Sequence, residues 1–148
     1  MTALAASAAR LVLGALFFWA SATKVPDMAA FAESVANYRI VPPALVSAAA
    51  AFVVGIEIVA GVALLANVWA RAAAWVLAAL LAVFTAGLTS ALARGIDLAC
   101  GCFGGNSPAT GWTVLRDVLL LALAVLVAAT ARGRTSSRSP RAGAVPAG

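Results

Sequence analysis

The sequence predicts an all-α integral membrane protein, a four-helix bundle with a short interfacial helix between the first and second spans. Three observations carry that expectation. Hydrophobic residues make up 64% of the chain and charged residues only 10%, against roughly 45–50% and about 25% in an average soluble domain, so there are too few polar side chains to cover an outside facing water. Mean hydropathy is +1.05. The apolar residues fall in four long runs, and 148 residues leave room for four spans of roughly 20 residues with their connections. One membrane domain over 1–131 follows. From Arg132 onward a run rich in Arg, Ser, Gly and Pro is expected to be a basic, disordered cytoplasmic tail over 132–148.

The first charge-free run, Leu11 to Thr23, is too short to span alone. Its helix must begin near Leu4 and carry Arg10 about two turns in, where the guanidinium snorkels or finds a partner. Arg10, the apolar core and the triplet Ala20-Ser21-Ala22 also imitate the three regions of a cleavable signal peptide. The residues before Arg10 are apolar enough to extend the helix, however, and losing it would leave three spans, so a retained span is expected.

Between Lys24 and Pro43, Asp27 can cap a short helix on which Met28, Phe31, Val35 and Tyr38 recur at helical spacing, with Glu33 and Asn37 on the polar face. This pattern predicts an interfacial amphipathic helix. Arg39 and Pro42-Pro43 end it and start the next element.

The second span, Ala44 to Ala66, carries one charge, Glu57, near its middle. After the link Asn67-Val68-Trp69 and Arg71, the third runs from Ala72 to Ala93 without a charge, and Arg94-Gly95 close it. Residues 94–107, RGIDLACGCFGGNS, form a glycine-rich loop holding both cysteines. Ser107 as cap and Pro108 in the first turn then open the fourth span, Pro108 to Ala131, with Arg116 and Asp117 near the interface. Gly14, Gly55, Gly61 and Gly87 are expected to allow close helix approach. Trp19, Trp69, Trp75 and Trp112 are expected as interfacial anchors.

Orientation follows from the basic residues beside the spans. With the tail in the cytoplasm of a plasma-membrane protein, both termini lie inside, and Arg71 and Arg10 join Arg132, Arg134, Arg138 and Arg141 there. The opposite side holds Lys24, Arg39, Arg94 and Arg116, each offset by a nearby carboxylate among Asp27, Glu33, Asp97 and Asp117. The cysteine loop is thereby extracytoplasmic, on the side where disulfides persist.

The chain contains no histidine, which excludes triads with an imidazole base and most zinc sites. Outside the tail, basic and acidic residues nearly cancel, so no nucleic-acid partner is expected; the bilayer itself is the surrounding medium. Cys100-Gly101-Cys102 is the most informative feature. Cysteines one residue apart have Cα atoms at most about 7 Å apart, close enough for a disulfide only if the backbone bends, which Gly101 permits. Such a small ring is strained, and strain suits a bond that is made and broken. Arg94 and Arg116, with Asp97, would set the electrostatics around the thiolates. Two free packing residues or a static disulfide remain alternatives. A metal site would need more ligands than two thiolates, and none is expected. Arg10 and Glu57 sit at similar depths and are expected to pair inside the bundle, with Lys24 as a further organiser of the interior. Glu57 as a neutral carboxyl packed against backbone is the alternative.

The segments RLVLG at Arg10 to Gly14, SATKVPD at Ser21 to Asp27, YRIVP at Tyr38 to Pro42 and EIVAG around Glu57 and Gly61 carry a resemblance, together with Arg94-Gly95, CGCFG and Arg116-Asp117. The chain resembles the methylamine utilisation protein MauE family, four-helix membrane proteins related to DoxX, over nearly all of its length up to Ala131. CGCFG is the specific element. The resemblance implies a role in maturing an exported thiol protein, in the family's name case the disulfide-rich small subunit of methylamine dehydrogenase, alongside a thioredoxin-like protein. Cys100 and Cys102 would carry the exchange, as a thiol–disulfide oxidoreductase component. The DoxX relatives imply another reading, a subunit of a quinone-linked oxidoreductase. A non-catalytic membrane scaffold or chaperone is the third.

Overall fold

The computed structural model describes residues 3–95 and 110–131. Every element among them is helical. Helix α1, Ala3–Lys24, ends in a short 3-10 turn, Val25–Asp27, where Pro26 interrupts the ladder. The Asp27 carboxylate accepts a hydrogen bond from the Ala30 N–H at 3.0 Å and so caps α2, Met28–Asn37, as its position in the sequence suggests. Arg39 turns the chain with a left-handed φ of 53°, and Pro42 and Pro43 lead through a second 3-10 turn into α3, Val46–Leu65.

A link of four residues follows, in which Asn67 and Trp69 take left-handed φ values of 56° and 48°. Helix α4, Ala70–Ala93, therefore begins two residues earlier than its charge-free run and takes Arg71 into its first turn. Helix α5 spans Gly111–Thr130. Its cap is Thr110, not Ser107: Thr110 is extended, and it exchanges hydrogen bonds with Thr113 in a capping box. Ser107 and Pro108 lie outside the described residues.

The long helices form a closed ring in which α1 packs on α3, α3 on α4, α4 on α5, and α5 returns to α1. Helix α2 lies along α3, burying Phe31 against Ala50 and Val54. The main core is made of Leu13, Phe17, Leu64, Leu77, Leu81 and Val127 set among alanines of α3, α4 and α5. Small side chains bring the axes close, so dispersion contacts between the helices stand in for the hydrophobic drive that lipid cannot supply.

The outside is apolar as well. Phe52, Val59, Val83 and Leu119 are all largely exposed on the long helices, and in water such a surface would be unstable. Four stretches among the described residues, Leu4–Asn37, Pro43–Ala66, Ala70–Ala93 and Gly111–Thr130, are long and apolar enough to cross a membrane. All four tryptophans project outward.

Candidate functional site

Two charged side chains meet in the middle of this apolar ring. Helical side chains lean toward their own N-terminus, so Lys24, the last residue of α1, leans back along α1, while Glu57 on the antiparallel α3 leans the opposite way, toward it. The Lys24 ammonium donates to both Glu57 carboxylate oxygens at 2.7 Å. Lys24 is 3% exposed and Glu57 4%. The same ammonium lies 5.0 Å from the centre of the Phe31 ring, which places α2 over the pair and adds a cation–π attraction. A buried pair of this kind is weak evidence of stability, because desolvating both ions offsets much of their attraction. Its clearer effect is to fix how α1, α2 and α3 meet.

A third ionisable side chain reaches the same place from the far side of the ring. Asp117, on α5, is 2% exposed. It lines a cavity of ≈ 30 Å³ together with Lys24, Glu57, Phe17, Phe84 and Leu120. Its Oδ1 accepts hydrogen bonds from the neighbouring Arg116 guanidinium at 2.9 and 3.1 Å, and the arginine side chain extends outward to partial exposure. Two ion pairs therefore border one interior space.

The expected pair between Arg10 and Glu57 does not form. Arg10 donates to the carbonyl of Leu64 and, at 3.3 Å, to that of Leu65. These carbonyls belong to the last turn of α3, where the regular ladder ends; that of Leu64 also accepts from the Asn67 N–H at 3.2 Å, and the arginine adds a cap that favours the negative end of the helix dipole. Leu64 lies seven residues beyond Glu57, roughly 10 Å along the axis, and Glu57 leans away from it. The depths estimated from run lengths therefore do not coincide, and side-chain direction separates the two groups further.

Arg94 donates through Nη2 to the Tyr38 carbonyl and through Nε to the Ser90 carbonyl, each at 3.1 Å. It thus fastens the end of α4 to the segment following α2. The Tyr38 ring is buried edge-on to Phe84, 6.4 Å between centroids, and packs over Leu88 and Ala91. Arg94 and Arg116 flank the two ends of the connection that contains Asp97, Cys100 and Cys102. Those three residues lie outside the described residues, so the expectations for the thiols and for Asp97 do too.

Asp117 and Tyr38 are the interior residues the sequence reading undervalued. A usable signal existed for the first: Thr113, Asp117, Ala124 and Ala128 share one α5 face, all buried. Lys24 likewise continues the buried face Leu13, Phe17, Ala20 and Ser21 of α1. Tyr38 follows the α2 apolar stripe directly.

Among the described residues, the cavity beside Asp117 is too small for a quinone headgroup. Ligand pockets typically occupy about 300–1,000 Å³, roughly tenfold more than the cavity beside Asp117. A larger groove of ≈ 460 Å³ runs between α3 and α4, but Phe52, Ile56, Val59, Trp69 and Val76 line it, and apart from the Trp69 indole it offers no polar side chain to orient a ring.

Comparison with known proteins gives a concordant result. The family model described as methylamine utilisation protein MauE matches residues 2–130. The methylamine utilization protein MauE of Paracoccus denitrificans is 35% identical over 124 residues, which cover 82% of this chain and 67% of that protein. No solved structure matches the chain.

Proposed function

The chain belongs to the methylamine utilisation protein MauE family, and from that premise we propose that it supports methylamine metabolism by maturing an exported partner through thiol–disulfide exchange at Cys100 and Cys102. The observation that carries the reading is the sequence CGCFG, set in the connection between α4 and α5 in a chain of this family. Exchange conserves electrons. A thiolate of one protein attacks a disulfide sulfur of the other and releases the second sulfur of that disulfide as a thiolate; the resulting mixed disulfide is then resolved by the attacking protein's second thiolate. One dithiol becomes a disulfide as the other disulfide becomes a dithiol. The partner is an exported thiol protein or a thioredoxin-like protein, met on the extracytoplasmic face of the plasma membrane.

The rest of the bundle has a supporting task in this reading. Arg94 and Arg116 place positive charge at the two ends of the thiol connection, where it favours thiolate. The Lys24–Glu57 ion pair holds α1 and α3 in one arrangement. No step in this reading is routed through a quinone.

The experiment is a pair of single serine variants, Cys100→Ser and Cys102→Ser, expressed with the partner and resolved on non-reducing gels. Each is expected to trap a covalent adduct on the remaining sulfur, and the double variant is expected to lose partner maturation at normal abundance. Maturation retained by the double variant would overturn the thiol reading and leave a membrane scaffold.

A further inference from the structure

We infer that the cavity between Lys24, Glu57 and Asp117 is an internal water site, holding one or two water molecules that join the Lys24–Glu57 pair to the Arg116–Asp117 pair across the bundle. Size admits this and little else. A water needs a cavity of about 10–15 Å³ on the measure that counts probe-occupied space, and the space here is ≈ 30 Å³.

Chemistry separates it from a dry void. Genuinely empty cavities in proteins are apolar, whereas a buried water needs two to four polar partners. This space is bordered by an ammonium and two carboxylates, contributed by α1, α3 and α5. A carboxylate offers about four acceptor positions. Two bonds from Arg116 fall on one oxygen of Asp117, Oδ1, and Glu57 meets the Lys24 ammonium through both oxygens with the Ser21 hydroxyl beside it, fewer donors than the positions either carboxylate offers. The wall formed by α4 supplies only Leu80, Leu81 and Phe84. It has no polar group to use that capacity. Water in the space also moderates the cost of holding three charged groups at this depth.

The site can be read directly, because radiolysis generates hydroxyl radicals from bound water and marks the side chains touching it. The full chain in lipid nanodiscs would be exposed to a short X-ray pulse and each residue's modification rate, corrected for intrinsic reactivity, measured by mass spectrometry. Phe17 and Phe84 line the space, while Leu13 and Leu77 are fully buried in the apolar core. The expected result is modification of Phe17 and Phe84 several-fold faster than Leu13 and Leu77. Filling the space with Ala20→Leu or, separately, Leu120→Phe should return the two rings to the core rate in whichever variant keeps its thermal transition. Equal rates for rings and core leucines in the unaltered protein would overturn the water site, as would unchanged ring labelling in a folded, filled variant.

Discussion

Gly14 and Gly61 touch backbone to backbone: a Cβ on Gly14 would stand 3.1 Å from the Gly61 carbonyl oxygen, and one on Gly61 would stand 3.2 Å from that of Gly14. Neither carbonyl can swing aside without breaking its helix. Gly61→Val is expected to destabilise by about 1–3 kcal/mol through overpacking, seen as a lowered thermal transition in detergent. Gly55 is the internal control, since a Cβ there meets nothing within 4 Å and Gly55→Ala should raise stability by up to about 1 kcal/mol through helix propensity. Equal effects at the two sites would show that α1 and α3 do not meet as described.

The Lys24–Glu57 pair predicts strong non-additivity. Lys24→Met or Glu57→Met alone strands a carboxylate or an ammonium in the interior, a loss of about 3–5 kcal/mol when one partner of a buried pair is removed. The double variant Lys24→Met with Glu57→Met should recover most of that loss. A double-mutant cycle on thermal or denaturant unfolding checks it, and additive losses would refute the contact.

Arg10 gives the opposite expectation. Its partners are backbone carbonyls of Leu64 and Leu65, and because Leu64 keeps the Asn67 N–H, Arg10→Leu should cost about 1 kcal/mol through the lost hydrogen bonds. Combined with Glu57→Leu, the two losses should add within about 0.5 kcal/mol, as expected for separated sites. Coupling larger than this would restore the pairing suggested by depth alone.

Orientation is tested with reporters. The excess of arginine beside one set of helix ends predicts that both termini are cytoplasmic. A phosphatase active only outside the cytoplasm should be active when fused after Gly95 and inactive when fused after Arg132. The reverse pattern, or a mature chain beginning at Thr23, would overturn the orientation.

How much of this was legible depends on the kind of information each feature uses. The four spans were plain because a charge-free run such as 72–93 states its own length, and the α2 cap because Asp27 precedes a periodic stripe. Interior partnerships were harder. Periodicity assigns Lys24, Glu57 and Asp117 to buried faces, but which faces meet depends on the register between helices and on side-chain lean, neither of which is written locally. Gly55 shows the same limit: it has the composition of a contact glycine and lies in the groove between α3 and α4 on the outer side. The α5 cap was missed because Ser107-Pro108 is a good start signal, while the Thr110–Thr113 capping box three residues later provides the actual boundary. Cys100 and Cys102 stood out by their one-residue spacing, the glycines around them and the orientation of their connection, and they lie outside the described residues.

The distribution of charge along the chain also sets an order of events during biogenesis. Lys24 and Glu57 both belong to the first half of the polypeptide, so the hairpin of α1 and α3 can neutralise its own charges as soon as it leaves the translocon, before α5 has been synthesised. Asp117 arrives last with its adjacent counterion, Arg116. Each half of the nascent protein therefore enters lipid with its buried carboxylate already matched, and closing the ring requires no naked charge to wait in the bilayer for a late partner.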